Sequence, residues 1–280
     1  MVITASIVTH LTPAGQLTTA LECLLRSEVK RIYVVDNSPD DSLRGVAGAY
    51  GRVEYMHVEN RGFGEGHNLA IRNALADPDG FHLVMNADVW WDGDIIAPLL
   101  RYLKDNPSVG MVAPKVYYPD GVLQYSCRML PTPLDLFAKR FLPSFLSRHR
   151  MDRYLLAGHD HDFPLDCPYL LGSFLLFRNK ALLDCGLFDE RFFMYPEDID
   201  ITRRIHQRWA TMYWPGVSIV HEHAAASRKS LKMLRIHLSN MIRYFNKWGW
   251  WTDGSRLRFN RRLQREIVQI PESRQPEARG

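Results

Sequence analysis

The segment Phe188-Asp189-Glu190-Arg191-Phe192-Phe193-Met194-Tyr195-Pro196-Glu197-Asp198-Ile199-Asp200 gathers carboxylates at a helix start beside a run of aromatic side chains. Well upstream, Leu83-Val84-Met85-Asn86-Ala87-Asp88 ends an apolar strand on an isolated carboxylate. One acidic site of this kind can hold a metal ion while the other removes a proton. Both fall at strand or loop ends, where α/β proteins place their chemistry. The combination points to a transferase rather than to a binding module.

Each position also has a plain structural reading. Glu197 and Asp198 open a helix, where the dipole alone stabilises carboxylates; the chemical reading makes Asp198 a general base, which needs only hydrogen-bond reach to an acceptor hydroxyl. Asp88 is either a turn residue or a ligand for a divalent cation, magnesium or manganese, shared with two phosphates, since such a cation needs few protein carboxylates. Asp94 nearby suits a helix N-cap as well as it suits a metal. His221, followed by Glu222 and His223, ends a later strand, where an imidazole can complete a metal shell or simply lie at the surface. Asp36-Asn37-Ser38 also follows a strand, so Asp36 can accept from a nucleobase or ribose, or serve as a cap or Asx-turn. Asn60-Arg61-Gly62-Phe63-Gly64-Glu65-Gly66-His67-Asn68 puts three glycines before a helix, a turn that lets backbone approach phosphate. It matches neither phosphate-loop nor dinucleotide fingerprint. Asn68, one turn into that helix, is within reach of the nucleotide or metal region. Trp90, Trp91, Phe192, Phe193, Met194 and Tyr195 can wall the site, or in the case of Phe192 and Phe193 fill the core.

The elements that must position these residues are legible in the hydrophobic pattern. Strands are expected over 2–8, 31–36, 53–58, 81–85, 109–113, 122–128, 170–177 and 212–220. Helices are expected over 17–25, 64–75, 95–103, 134–146 (broken by Pro143), 180–185, 197–209 and 231–248. Short apolar runs alternating with amphipathic helices predict an α/β fold with a mostly parallel sheet covered on both faces, binding its ligand at the carboxyl ends of the strands. No internal repeat is visible. His159-Asp160-His161-Asp162 has metal-ligand residue types but no regular spacing to fix them, and reads as a polar loop.

Bulk properties exclude several classes. With 280 residues, 46% hydrophobic and 24% charged, the chain is an ordinary folded protein, with disorder expected past Pro271. No secretory leader and no apolar run of about 20 residues is present. Cys23, Cys127, Cys167 and Cys185 are scattered, so neither a zinc site nor a disulfide framework is expected, and a reducing cytoplasm fits. The net charge of +4 owes much to Arg256, Arg258, Arg261, Arg262 and Arg265, read as a solvated basic tail or a contact for anionic lipid. Nucleic-acid binding is not expected, because no aromatic platform is interleaved with those arginines.

Taken in order, several motifs resemble the inverting nucleotide-sugar glycosyltransferases of family 2, with the GT-A fold, and most of all the rhamnosyltransferase-like and galactofuranosyltransferase-like branch. They are Ile7-Val8-Thr9-His10, Val34-Val35-Asp36-Asn37-Ser38, Asn60 through Asn68, Met85-Asn86-Ala87-Asp88, Gly172-Ser173, Gly186-Leu187-Phe188-Asp189-Glu190, Phe193 through Asp200, and His221 with Ser227. They cover residues from about 3 to 230. The resemblance implies a GT-A, Rossmann-like sheet with a C-terminal helical extension. It divides the chain into a nucleotide-sugar half at 1–115, an acceptor-binding and catalytic half at 116–230, and an amphipathic helix with basic tail at 231–280. Thr9, Asp36, Asn68, Asn86 and Ala87 then belong to the donor side, Asp88 and His221 hold a divalent metal, and Asp198, with Glu197 beside it, is the catalytic base. Asn86 stands where the D-x-D element has its first carboxylate, and so carries no charge.

The implied reaction is a single in-line transfer from a nucleotide-diphosphate sugar, thymidine diphosphate-rhamnose by first expectation, to a glycan or lipid-linked acceptor in bacterial surface polysaccharide assembly. The implied setting is the cytoplasm, with peripheral contact at the inner face of an anionic membrane. The competing readings are a non-catalytic nucleotide-sugar-binding protein on the same fold and a nucleotidyltransferase. The second needs a basic Gly-rich loop after the first strand, which Leu11-Thr12-Pro13-Ala14-Gly15 lacks.

Overall fold

The computed structural model describes residues 1–136, 144–222 and 231–268. The expected disorder past Pro271, and Ser227, lie outside these residues, as does the middle of the helix expected over 134–146.

A central sheet orders its strands β3 (Val53–His57), β2 (Arg31–Asp36), β1 (Ile3–Thr9), β4 (Phe81–Asn86), β10 (Phe174–Arg178), β6 (Val109–Tyr117), β11 (Ala210–His221) and β5 (Val89–Trp90). Strands β3, β2, β1 and β4 run parallel, as do β6 and β11. Between these blocks β10 is antiparallel to both β4 and β6. A short β8 (Leu165–Asp166) pairs with β11, and β7 (Cys127–Arg128) with β9 (Tyr169–Leu170) forms a separate ribbon.

Covering on both faces explains the strand composition. Leu83 and Met85 of β4 join the core under α1 (Ala14–Leu25) and α4 (Ile96–Asp105). Val84 between them joins the opposite core, with α3 (Phe63–Ala74), α6 (Asn179–Cys185), α7 (Glu197–His206), α8 (Leu231–Trp248) and α9 (Gly254–Val268). The two-residue period of a strand thus feeds two layers at once, and both phases must be apolar. The remaining helices are α2 (Arg44–Gly48) and α5 (Ser144–Leu155). Asp94 does cap α4, its Oδ1 accepting from the amides of Ile96 and Ala97 at 3.1 Å each.

Three expectations are corrected. The late arginines do not form an irregular tail: they lie on α9, which buries Arg256, Phe259, Leu263 and Ile267 and leaves Arg258, Arg261, Arg262 and Arg265 exposed. The cysteines do not all stay apart: Cys127 and Cys167, 40 residues apart, are joined in a disulfide, an adjacency that sequence spacing cannot reveal. The strand expected over 122–128 shrinks to β7 and an isolated bridge between Leu123 and Tyr117.

Candidate active site

The carboxyl ends of the parallel strands meet at one edge. In register, Thr9 of β1 lies beside Asp36 of β2, and Val8 beside Asn86 of β4. The chain reverses through β10, which begins opposite β4 with Phe174 beside Met85. This brings Gly172 and Ser173 to the same edge, where the Asn86 amide donates to the Ser173 carbonyl at 3.0 Å. The neighbouring Gly172 amide donates to Asp198 Oδ2 at 3.1 Å. Two consecutive residues therefore touch both acidic segments, which join one site despite their separation in sequence.

On the metal side, His221 ends β11 opposite Val89, directly after Asp88. Its Nδ1 lies 2.7 Å from the Gln124 carbonyl oxygen Oε1, an acceptor, so Nδ1 carries the proton. Nε2 lies 3.3 Å from Asp88 Oδ1 and 3.3 Å from Asn86 Nδ2. An imidazole oriented by a carbonyl behind it and a carboxylate at its other side are residue types able to ligate a divalent cation. Among the described residues no three His, Cys, Asp or Glu side chains converge. The Asn86 side chain presents its Nδ2 to His221, so as placed it offers a hydrogen-bond donor here rather than a ligand oxygen. His161 of the polar loop is buried, with Nε2 3.0 Å from the Leu156 carbonyl.

On the base side, Asp198 lies in the first turn of α7 and is partly buried. Its Oδ2 accepts from the Gly172 amide and, at 3.3 Å, from the Tyr169 hydroxyl; its Oδ1 accepts from the Ile199 amide at 2.8 Å. Burial raises its pKa above the ordinary carboxylate value, against the pull of these donors and of the Arg128 guanidinium. Glu197 is 5% exposed and is raised too, by burial first and by the charge of Asp198 second. A Cβ at Gly172 would come 3.0 Å from Asp198 Cβ, so a side chain there would push against the base.

On the donor side, Asp36 is fully buried and accepts from Thr9 Oγ1 at 3.0 Å, the Ser38 amide at 3.0 Å and the Tyr55 hydroxyl at 2.6 Å. Burial pushes its pKa up, but the hydrogen bonds from Ser38, Tyr55 and Thr9 outweigh that and hold it below the ordinary value. Ala87 lies between Asn86 and Asp88 and is 8% exposed. Asn68 departs from expectation. Its amide accepts from the Phe188 amide and donates to the Phe188 carbonyl and Glu190 Oε1, so both ends hold the 188–190 segment rather than open on the strand ends. The glycines near it also serve packing: a Cβ at Gly64 would meet Phe188, and one at Gly66 would meet Val8.

Comparison with known proteins gives the family. A family model described as glycosyl transferase family 2 matches residues 6–184. The chain belongs to that family. An N-acetylglucosaminyl-diphospho-decaprenol L-rhamnosyltransferase of Mycobacterium tuberculosis is 27% identical over 79% of this chain and 76% of its own length. Rhamnosyltransferase WbbL of Escherichia coli is 25% identical over 76% of this chain and 81% of its own. A crystal structure of GalNAc-T7 with UDP, GalNAc and Mn2+ superposes with a TM-score of 0.56 at 15% identity, covering 79% of this chain. The chain spans 44% of the length of that protein, and the likeness shows the shared GT-A fold. This family 2 chain adds groups that sequence reasoning did not single out. Gln124, Arg128, Tyr154 and Tyr169 all come from the irregular middle of the chain, where no periodicity marks a role. No helix among the described residues is long and apolar enough to cross a membrane.

Proposed function

We propose that this family 2 glycosyltransferase is a metal-dependent, inverting enzyme that moves a sugar, rhamnose by first expectation, from a nucleotide diphosphate to a hydroxyl of a lipid-linked glycan. The observation that carries this reading is the pair Gly172 and Ser173, which links the Asn86–Asp88 strand end to Asp198 through consecutive backbone groups. Support for the sugar and acceptor comes from the mycobacterial relative, named for L-rhamnose transfer to N-acetylglucosaminyl-diphospho-decaprenol.

Asp88 and His221, with Asn86 next to them, would hold a cation, and the presence of Mn2+ with UDP in the GalNAc-T7 structure is in keeping with a divalent ion. When bound, the cation neutralises charge on the leaving diphosphate. Thr9, Asp36, Asn86 and Ala87 frame the donor side, where the buried Asp36 would orient Thr9 and the Ser38 turn through its hydrogen bonds. Asp198 accepts the proton of the attacking hydroxyl as that oxygen displaces the nucleotide in line, and configuration inverts. The Gly172 amide and Tyr169 hydroxyl fix the carboxylate for that transfer. Its elevated proton affinity makes it a stronger base than a solvated aspartate. Glu197, more deeply buried, supports the same turn.

The reading includes a cytoplasmic enzyme with peripheral membrane contact. Exposed Leu238 and Ile242 on α8, with Trp250 and Trp251 in the following turn, offer the apolar side chains for it. Flotation with phosphatidylglycerol liposomes checks this, and retention of all protein in the soluble fraction would remove that part. The central test is Asp198→Asn with a nucleotide sugar chosen by thermal-shift screening with and without manganese. Transfer should fall by about a thousandfold or more, while the donor-induced shift stays. Near wild-type turnover would overturn the base assignment. Donor binding without sugar release by the wild type under any acceptor would leave only a binding protein.

A further inference from the structure

A second cleft opens between α5, the 129–135 segment and α9, with a volume of about 470 Å³. That lies within the roughly 300–1,000 Å³ of small-molecule sites. Arg150, Arg153, Arg256 and Arg261 line it, joined by His149. Asp135 is the acidic residue among its lining, and it is already engaged: Oδ1 accepts from Arg150 at 2.8 Å, and Oδ2 accepts from the Thr132 amide at 2.7 Å and hydroxyl at 2.6 Å. The cleft is therefore left with a surplus of guanidinium.

Arg256 marks it as more than a solvated basic surface. It is 4% exposed, and Nη2 donates to the Trp250 carbonyl at 3.0 Å. Its Nε and Nη1 are buried with no hydrogen-bond partner among the described residues. The nearest counter-charge, Asp253 Oδ2, is 3.7 Å from Nη1, and Asp253 also pairs with the fully buried Arg203. One carboxylate thus faces two buried guanidinium groups. A buried cation short of acceptors is costly, and an anion in the cleft that Arg256 lines would offset its charge.

The cleft also adjoins the catalytic side. Tyr154 lines it, and its hydroxyl interacts with Arg128. The Arg128 guanidinium lies 5.6 Å from the centre of the Tyr169 ring, and the Tyr169 hydroxyl reaches Asp198. Tyr154, Arg128 and Tyr169 thus run in series from the cleft to the base. An acceptor whose hydroxyl meets Asp198 and whose first sugar carries a diphosphate would place that diphosphate on this side.

We infer that the Arg150–Arg153–Arg256–Arg261 cleft is a diphosphate subsite for the acceptor, distinct from the metal-bound site of the donor diphosphate. This rests on the lipid-linked-acceptor reading above. Guanidinium suits the role because it pairs phosphate oxygens bidentately without a metal.

Inorganic pyrophosphate titrated into the protein in EDTA, followed by calorimetry, isolates this site from metal-dependent donor binding. The probe variant is Arg153→Ala with Arg261→Ala, two residues whose side chains make no hydrogen bond or salt bridge among the described residues; its melting temperature is checked first. Pyrophosphate affinity should fall by about tenfold or more. With prenyl-diphospho-N-acetylglucosamine as acceptor, KM for the acceptor should rise by a similar factor while kcat and donor KM hold. Equal pyrophosphate binding by wild type and variant, or none by either, overturns the subsite. So does loss of phosphatidylglycerol-vesicle binding with pyrophosphate binding intact, which would assign the arginines to lipid headgroups. Hydrolysis of the donor by the double variant separates the two readings: if it persists, a negative result removes the subsite and leaves the glycosyltransferase mechanism untouched.

Discussion

At the scale of single residues, the site works through hydrogen-bond assignments. Tyr169 donates to the charged form of Asp198 and so favours it. Without that hydroxyl the carboxylate binds its proton more tightly, and the acid limb of the kcat/KM profile of Tyr169→Phe should move to higher pH. A limb that stays fixed would show that Tyr169 only packs. His221 depends on Gln124 in the same way, since the Oε1 acceptor fixes which ring nitrogen faces Asp88. Gln124→Leu should weaken manganese binding in the presence of nucleoside diphosphate by roughly 10–100-fold, measured by calorimetry. The placement of Asp198, Asp88 and His221 at element ends was readable because each follows a patterned run. Tyr169, Arg128 and Gln124 were not, because their segments make short ribbons and turns whose partners lie far away in sequence. Asn68 was misread for a related reason: its spacing in α3 gives the helix face but not what packs there.

At the scale of elements, the aromatic loop before α7 is clamped from both sides. Gly62, with φ of +115°, lets the Phe63 amide donate to the Phe193 carbonyl at 3.0 Å. A Cβ there would come 2.3 Å from that same carbonyl oxygen. Gly62→Ala should therefore cost about 2 kcal/mol or more by thermal denaturation, from an unfavourable backbone and a displaced loop together. From the other side, α8 holds the loop: Asn240 donates to the Met194 carbonyl at 2.9 Å, Arg243 to the Arg191 carbonyl at 2.9 Å, and Trp248 Nε1 to Asp200 at 2.8 Å. The hydrophobic spacing of α8 predicted a helix and left its partner open. Its Tyr244 and Phe245 in fact fill the core beside α7. Helix α9 carried a comparable signal in Phe259, Leu263 and Ile267, four residues apart, but the density of arginines masked it. Composition describes a surface, whereas periodicity finds the face that packs.

At the scale of the whole molecule, the sheet is tied to α3 by a buried polar chain. Ser6 Oγ lies 2.7 Å from His67 Nδ1 and 2.8 Å from His82 Nε2, and Thr4 Oγ1 lies 2.7 Å from His82 Nδ1. Both histidines are fully buried. Burial pushes His82 down to about 3 and His67 well below the usual imidazole value. The folded protein thus keeps both neutral while the unfolded chain takes up protons below about pH 6.5. Their contribution is intact above that pH and is lost as pH falls toward 3, by up to about 1.4 kcal/mol per pH unit for each histidine. The melting temperature should drop steeply below pH 6.5, and less steeply in His82→Gln; parallel curves would exclude the linkage.

The antiparallel strand inside the sheet has a consequence for how the chain is made. One flank of β4 is closed by β10, which the ribosome delivers only after β6, β7, α5 and the 165–173 segment have emerged. Until then the nascent N-terminal block carries an exposed strand edge next to the residues that will become the catalytic rim. Synthesis therefore passes through an interval in which the N-terminal strands are present but unsealed, and the stretch that carries Gly172, whose amide reaches Asp198, leads directly into the strand that ends it.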